Sequence, residues 1–141
     1  MDDVVFRYLL PSVPYAVEDC QISGIGLVDQ QITFFFRDGV LDAVSQDTEC
    51  RTSAARLIVT CDPDDVLCSV YAPHGWRRKR WYTAKYPDFQ AFMKAVNQQH
   101  MAATVEACWL SYQRILLRAV IRDQLWEITV GSVREAVIVL D

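Results

Sequence analysis

Apolar and polar positions alternate with a short period along most of this chain, which predicts strands. Residues 4–10 are apolar and β-prone until Pro11 and Pro14 end the run, because proline fixes φ and lacks a ladder donor. Residues 22–28 form a short apolar run containing Gly24 and Gly26, which suits a bulged or edge strand. Residues 32–37 and 40–44 flank Asp38-Gly39, so a hairpin with a type I′ turn is expected, both central residues needing φ > 0. Residues 45–54 read as a polar loop. A second hairpin is expected between residues 56–61 and 66–71, through Asp62-Pro63-Asp64-Asp65, with proline preset for the second position of a type I turn. Arg80–Lys85 continues as a strand, since Trp, Tyr and Thr favour one. Four more β-rich runs follow at residues 104–112, 115–121, 125–130 and 136–140. Arg122-Asp123-Gln124 and Gly131-Ser132 mark turns between the last three. The first of the four alternates imperfectly, so a helix from Ala102 onward, merging with the amphipathic helix before it, is the alternative there.

One segment changes period. Phe89, Phe92, Met93, Val96 and His100 follow i, i+3, i+4, i+7 and i+11 spacing, a single helical stripe. Asp88 precedes it and suits an N-cap, its carboxylate accepting from the first free backbone N–H groups. The expected fold is α+β: a mostly antiparallel, meandering sheet with one amphipathic helix, about residues 88–101, packed on a face. No linker or repeat interrupts residues 1–141, so a single compact domain is expected.

Composition narrows the class. The chain has 141 residues, 52% of them hydrophobic, enough for one core, and 23% charged, which argues against disorder. No apolar run approaches the roughly 20 residues of a membrane-spanning helix. The opening Met1-Asp2-Asp3 is unlike a basic secretory leader, so a soluble, cytoplasmic protein is expected. The five cysteines, Cys20, Cys50, Cys61, Cys68 and Cys108, show no Cys-x-x-Cys spacing and lie mostly in apolar runs. They read as reduced, structural thiols, with no metal site and no cofactor.

Charge adds the one functional accent. Residues 1–65 carry 12 acids against 4 bases, or −8. Residues 66–141 carry 6 acids against 10 bases, or +4. Four consecutive cations, Arg77, Arg78, Lys79 and Arg80, lie between Trp76 and Trp81. Cations beside aromatic faces suit single-stranded nucleic acid, but a pI near 5.1 lacks the broad basic face such proteins carry. The same residues serve as edge-strand protection or as a protein anchor. Trp109 and Trp126 lie in apolar strands and read as core.

Other constellations are weak. Asp62, Asp64 and Asp65 lack the glycine and distal glutamate of a calcium loop and read as turn chemistry. Gly24-Ile25-Gly26 lacks the third glycine and following helix of a dinucleotide fingerprint. His74 and His100 each lie near a cysteine in sequence, yet no spacing builds a nucleophile–base pair, so no catalytic residue is assigned.

The expected function is that of a non-enzymatic protein-binding module, in the manner of an inhibitor, antitoxin or immunity protein. Its partner would be another protein, such as a toxin or nuclease with a basic cleft. The acidic half, with Asp42, Asp47, Glu49, Asp62, Asp64 and Asp65, would meet that cleft by charge complementarity. Trp76, Arg77, Arg78, Lys79, Arg80 and Trp81 would form a second anchor. The alternatives are a small single-stranded nucleic-acid-binding module centred on Arg77 to Arg80, and a homo-oligomeric structural protein, for instance a homodimer joined through strand edges.

Overall fold

The computed structural model describes residues 3–6, 15–42, 51–74, 80–85, 87–98, 101–111 and 113–141. Among these residues the chain is mostly antiparallel β-sheet with a single short helix, an α+β fold. The strands are β1 (Asp3–Phe6), β2 (Tyr15–Ala16), β3 (Gln21–Ile22), β4 (Gly24–Val28), β5 (Gln31–Phe36), β6 (Leu41–Asp42) and β7 (Ala55–Thr60). They continue with β8 (Val66–His74), β9 (Arg80–Lys85), β10 (Ala103–Ser111), β11 (Arg114–Ile121), β12 (Gln124–Val130) and β13 (Glu135–Leu140). The helix α1 (Phe89–Asn97) falls between β9 and β10.

The strands divide between two large sheets. One has the order β1-β13-β7-β5-β4, the other β3-β10-β11-β12-β8-β9, and β2 pairs with β6 in a short ribbon. Among the described residues the chain passes directly from one large sheet to the other at Ser23, at residues 61–65 and at residues 131–134. The last two crossings are tied together. The Asp65 carbonyl accepts from the Gly131 N–H at 2.8 Å, and the Asp65 carboxylate accepts from the Ser132 hydroxyl at 2.8 Å. Arg134 donates its backbone N–H to the Thr60 carbonyl at 2.8 Å, and its guanidinium reaches the Gln30 side chain.

Neither expected hairpin forms. Asp62-Pro63-Asp64-Asp65 does form a turn, with the Asp65 N–H donating to the Asp62 carbonyl at 2.9 Å and the Asp64 N–H to the Asp62 carboxylate at 3.0 Å. It leads from one sheet to the other, however, so β7 and β8 do not pair with each other. The chain also turns at residues 36–39, where the Gly39 N–H donates to the Phe36 carbonyl at 3.0 Å. Only Gly39 takes positive φ there, at 84°, so a type I′ turn is absent. The strand that follows cannot pair with β5, because β4 and β7 already occupy both edges of β5. Instead β6 pairs with β2.

Both sheets turn alternate residues into one apolar core. The five-stranded sheet supplies Ile32, Phe34, Phe36, Leu57, Val59 and Ile138. The six-stranded sheet supplies Val105, Ile115, Leu117, Ile128 and Trp126. The helix links them. Asp88 caps it as expected, accepting from the Ala91 N–H at 3.1 Å, and Phe89, Phe92 and Val96 are buried. Phe89 meets Phe34 of the five-stranded sheet edge-on at 6.5 Å between ring centroids. Phe92 meets Trp126 of the six-stranded sheet at 5.3 Å. Each such side chain contributes about 1.5–3 kcal/mol on burial. Among the described residues no helix is long and apolar enough to cross a membrane.

Candidate protein-binding surface

The two faces of the six-stranded sheet are set by register. Across β10, β11, β12 and β8, Trp109 stands opposite Leu116, Leu116 opposite Thr129, and Thr129 opposite Leu67. Paired residues of an antiparallel sheet share a face, so these four side chains form one row on the face turned away from the core. Trp109 is 49% exposed and Leu67 is 70% exposed, while Leu116 and Thr129 between them are half-buried. The neighbouring row runs Ala107, Arg118, Glu127, Ser69. Its Arg118 guanidinium lies 3.4 Å from the Glu127 carboxylate and 3.7 Å from that of Glu106. Partly exposed pairs of this kind add at most about 1 kcal/mol to stability. What they do here is hold a charged row in place beside the apolar one. Further along, Leu125 is buried yet belongs to this same outer face by its pairing with Val120 and Tyr71. Exposure is therefore concentrated at the Trp109 to Leu67 end.

Trp109 reaches this face because of a β-bulge. Val105 pairs with Ala119 and Ala107 pairs with Arg118, which leaves Glu106 as an extra residue on β10. One extra residue reverses the side-chain parity of the strand beyond it. Ala103 and Val105 point into the core, but past the bulge Cys108 shares the inner face with Leu117, and Trp109 shares the outer face with Leu116. The expectation that Trp109 belongs to the core is thus corrected, whereas Trp126, at 7% exposure, is core as expected. The imperfect alternation in residues 104–112 was the sequence signal for this bulge.

Among the described residues, the turn carrying Asp62, Asp64 and Asp65 lies far from Arg80 and Trp81. Asp62, Asp64 and Asp65 are all exposed on the turn that enters β8. Arg80 and Trp81 lie on β9, the last strand of the six-stranded sheet, in register with His74 and Pro73 at the other end of β8. From Asp65 to His74 the strand spans roughly 30 Å at about 3.3 Å per residue. Asp42 is half-buried on β6 opposite Tyr15. Trp76, Arg77, Arg78, Lys79, Asp47 and Glu49 lie outside the described residues, as do His100 and Cys50.

The described cysteines are free thiols. Burial pushes Cys61 up to about 11, with the charges of Asp62 and Asp65 adding to it and Arg134 opposing. Burial also pushes Cys68 and Cys108 up to about 12, helped by Asp88 and Glu18 respectively. Cys20 is raised by burial too, although the Arg51 guanidinium, donating to its sulfur at 3.6 Å, pulls the other way. None of these is an activated nucleophile, which would need a lowered value. No group of three or more His, Cys, Asp or Glu side chains suited to a metal occurs among the described residues.

Comparison with protein families, with characterised proteins and with solved structures gives no match.

Proposed function

We propose that this protein is a protein-binding module whose partner docks on the outer face of the six-stranded sheet. The observation that carries this reading is the half-exposed Trp109, aligned with Leu116 and the exposed Leu67 beside the Arg118, Glu127 and Glu106 charges. Tryptophan and arginine are enriched at interface hot spots, and an apolar row rimmed by charge is how such patches are built. In the inhibitor or immunity form of the reading, the partner is a toxin or nuclease with a basic cleft. Exposed Asp62 and Asp64 then steer its approach, since complementary charge speeds association and restricts partners.

The test is capture of a partner from the native host lysate by wild type and by Trp109→Ala/Leu67→Ser. Recovery of one protein by wild type and its loss in the variant, with an unchanged unfolding midpoint, supports the reading. Equal recovery by both removes this face from it. Salt-sensitive retention of single-stranded DNA or RNA instead of a protein would favour the nucleic-acid alternative. A concentration-dependent doubling of mass in light scattering would favour self-association.

A further inference from the structure

A second site lies on the other side of the same sheet, where α1 leans over the β11–β12 hairpin. Ala91, Lys94 and Ala95 of the helix, together with Met101, face Ile121, Arg122, Asp123, Gln124 and Trp126 across an open cavity of about 480 Å³. That size lies in the range of small-molecule sites. The cavity exists because the helix presents alanines here. Phe89, Phe92 and Val96 fill the adjoining stripe, while Ala91 and Ala95, one turn apart, leave the space beside them empty.

The walls and the mouth differ in character. Ala91, Ala95, Met101 and Ile121 line the cavity with apolar surface. Among the described residues, Lys94 and Arg122, both exposed, bring two cations to it against the one carboxylate of Asp123. Arg122 holds left-handed backbone, with φ 55°, in the hairpin turn at the rim. Trp126, 7% exposed, lines the same cavity, and its indole Nε1–H is buried with no hydrogen-bond partner among the described residues. Indole is a donor only, and a buried donor without an acceptor is an exception that a native structure has to account for.

We infer that this cavity binds a small carboxylate carrying an apolar body. The body lies against Ala91, Ala95, Met101 and Ile121. The carboxylate is drawn by Lys94 and Arg122 and accepts a hydrogen bond from Trp126 Nε1–H. That N–H is shut off from water, so the oxygen reaches it with a local shift of the cavity wall. Inorganic phosphate satisfies the cations but leaves the apolar walls wet, and a neutral analogue does the reverse. The site is separate from the outer face and stands or falls independently of it.

Naphthalene-2-carboxylate is the probe, titrated into ¹⁵N-labelled full-length protein while the tryptophan indole N–H resonances are followed, with Trp126 assigned from Trp126→Phe. A saturable shift of the Trp126 resonance is expected. Affinity should weaken about tenfold in Lys94→Ala/Arg122→Ala, the scale of one lost charge-assisted hydrogen bond. Ala91→Leu, which fills the cavity, should abolish the shift, and the Lys94→Ala/Arg122→Ala variant decides the matter even if Ala91→Leu fails to fold. Absence of a shift at millimolar probe overturns the inference. So does equal binding of naphthalene-2-carboxamide or of inorganic phosphate, or binding unaffected by loss of both cations.

Discussion

Asn97 holds both backbone polar groups of Ile25. Its side-chain carbonyl accepts from the Ile25 N–H at 2.8 Å, and its amide donates to the Ile25 carbonyl at 2.7 Å. Ile25 lies on β4, the outermost strand of the five-stranded sheet, so these groups face away from β5 and have no strand to pair with. The last residue of α1 thus stands in for a missing strand and blunts an edge that would otherwise invite pairing. Asn97→Leu should cost about 1–3 kcal/mol, because it leaves two backbone groups of a buried residue without partners. Asn97→Asp keeps the acceptor and should cost less. Urea unfolding of the three proteins checks the order.

The two tryptophans of the six-stranded sheet should respond in opposite ways. Trp126→Ala empties a space packed against Phe92, and such truncations cost about 3–5 kcal/mol. Trp109→Ala removes a half-exposed ring and should change stability by less than roughly 1 kcal/mol, while weakening partner capture. Thermal unfolding beside a binding assay separates the two.

Gly39→Ala should destabilise by more than about 1 kcal/mol. Gly39 has φ 84°, and an added Cβ would run into the Thr52 carbonyl. That carbonyl cannot retreat freely, because Thr52 is bound to Val40 twice: its N–H donates to the Val40 carbonyl at 2.8 Å and its hydroxyl accepts from the Val40 N–H at 3.0 Å. A chemical-denaturation midpoint shift measures the loss.

Stability should decline in alkali as the buried thiols resist ionisation. Cys61, Cys68 and Cys108 hold their protons in the folded state to about 11, 12 and 12, against an ordinary value of 9.0. Below pH 9 folded and unfolded chains carry the same protons there, so these groups contribute no pH dependence. Above it the unfolded chain releases protons that the folded chain keeps, and unfolding becomes easier up to the folded values. Urea midpoints taken on either side of pH 9 should show the fall. Cys68→Val should reduce its slope, and the native thiols should react slowly with a disulfide reagent until urea is added.

Local patterns in the sequence carried through where the structure is local. The strands β10 to β13 match four apolar runs to within a residue or two, and Asp88 caps the helix that its position announces. Asp62-Pro63-Asp64-Asp65 makes the turn its residues favour. What turn chemistry cannot tell is which strands meet across it. Asp38-Gly39 suits a hairpin, yet β5 was already paired on both sides by strands whose partnership depends on distant residues. The candidate surface was hidden for a different reason. Trp109 sits in an apolar run, and only the register beyond the bulge, which sets it opposite Leu116, decides that it points outward. Trp109 and Leu67, 42 positions apart in sequence, join one row only through β11 and β12.

The bulge at Glu106 absorbs one residue more than β11 opposes, so residues 107–111 keep the register that displays Trp109. Deleting Glu106 would let Ala107 follow Val105 directly and still lie opposite Arg118, so Trp109 would remain opposite Leu116 on the outer face and only the bulge would go. A surface of this kind survives the loss of that codon, whereas drawing Glu106 into regular pairing with Arg118 would slide the strand by one residue and turn Trp109 inward and Cys108 outward.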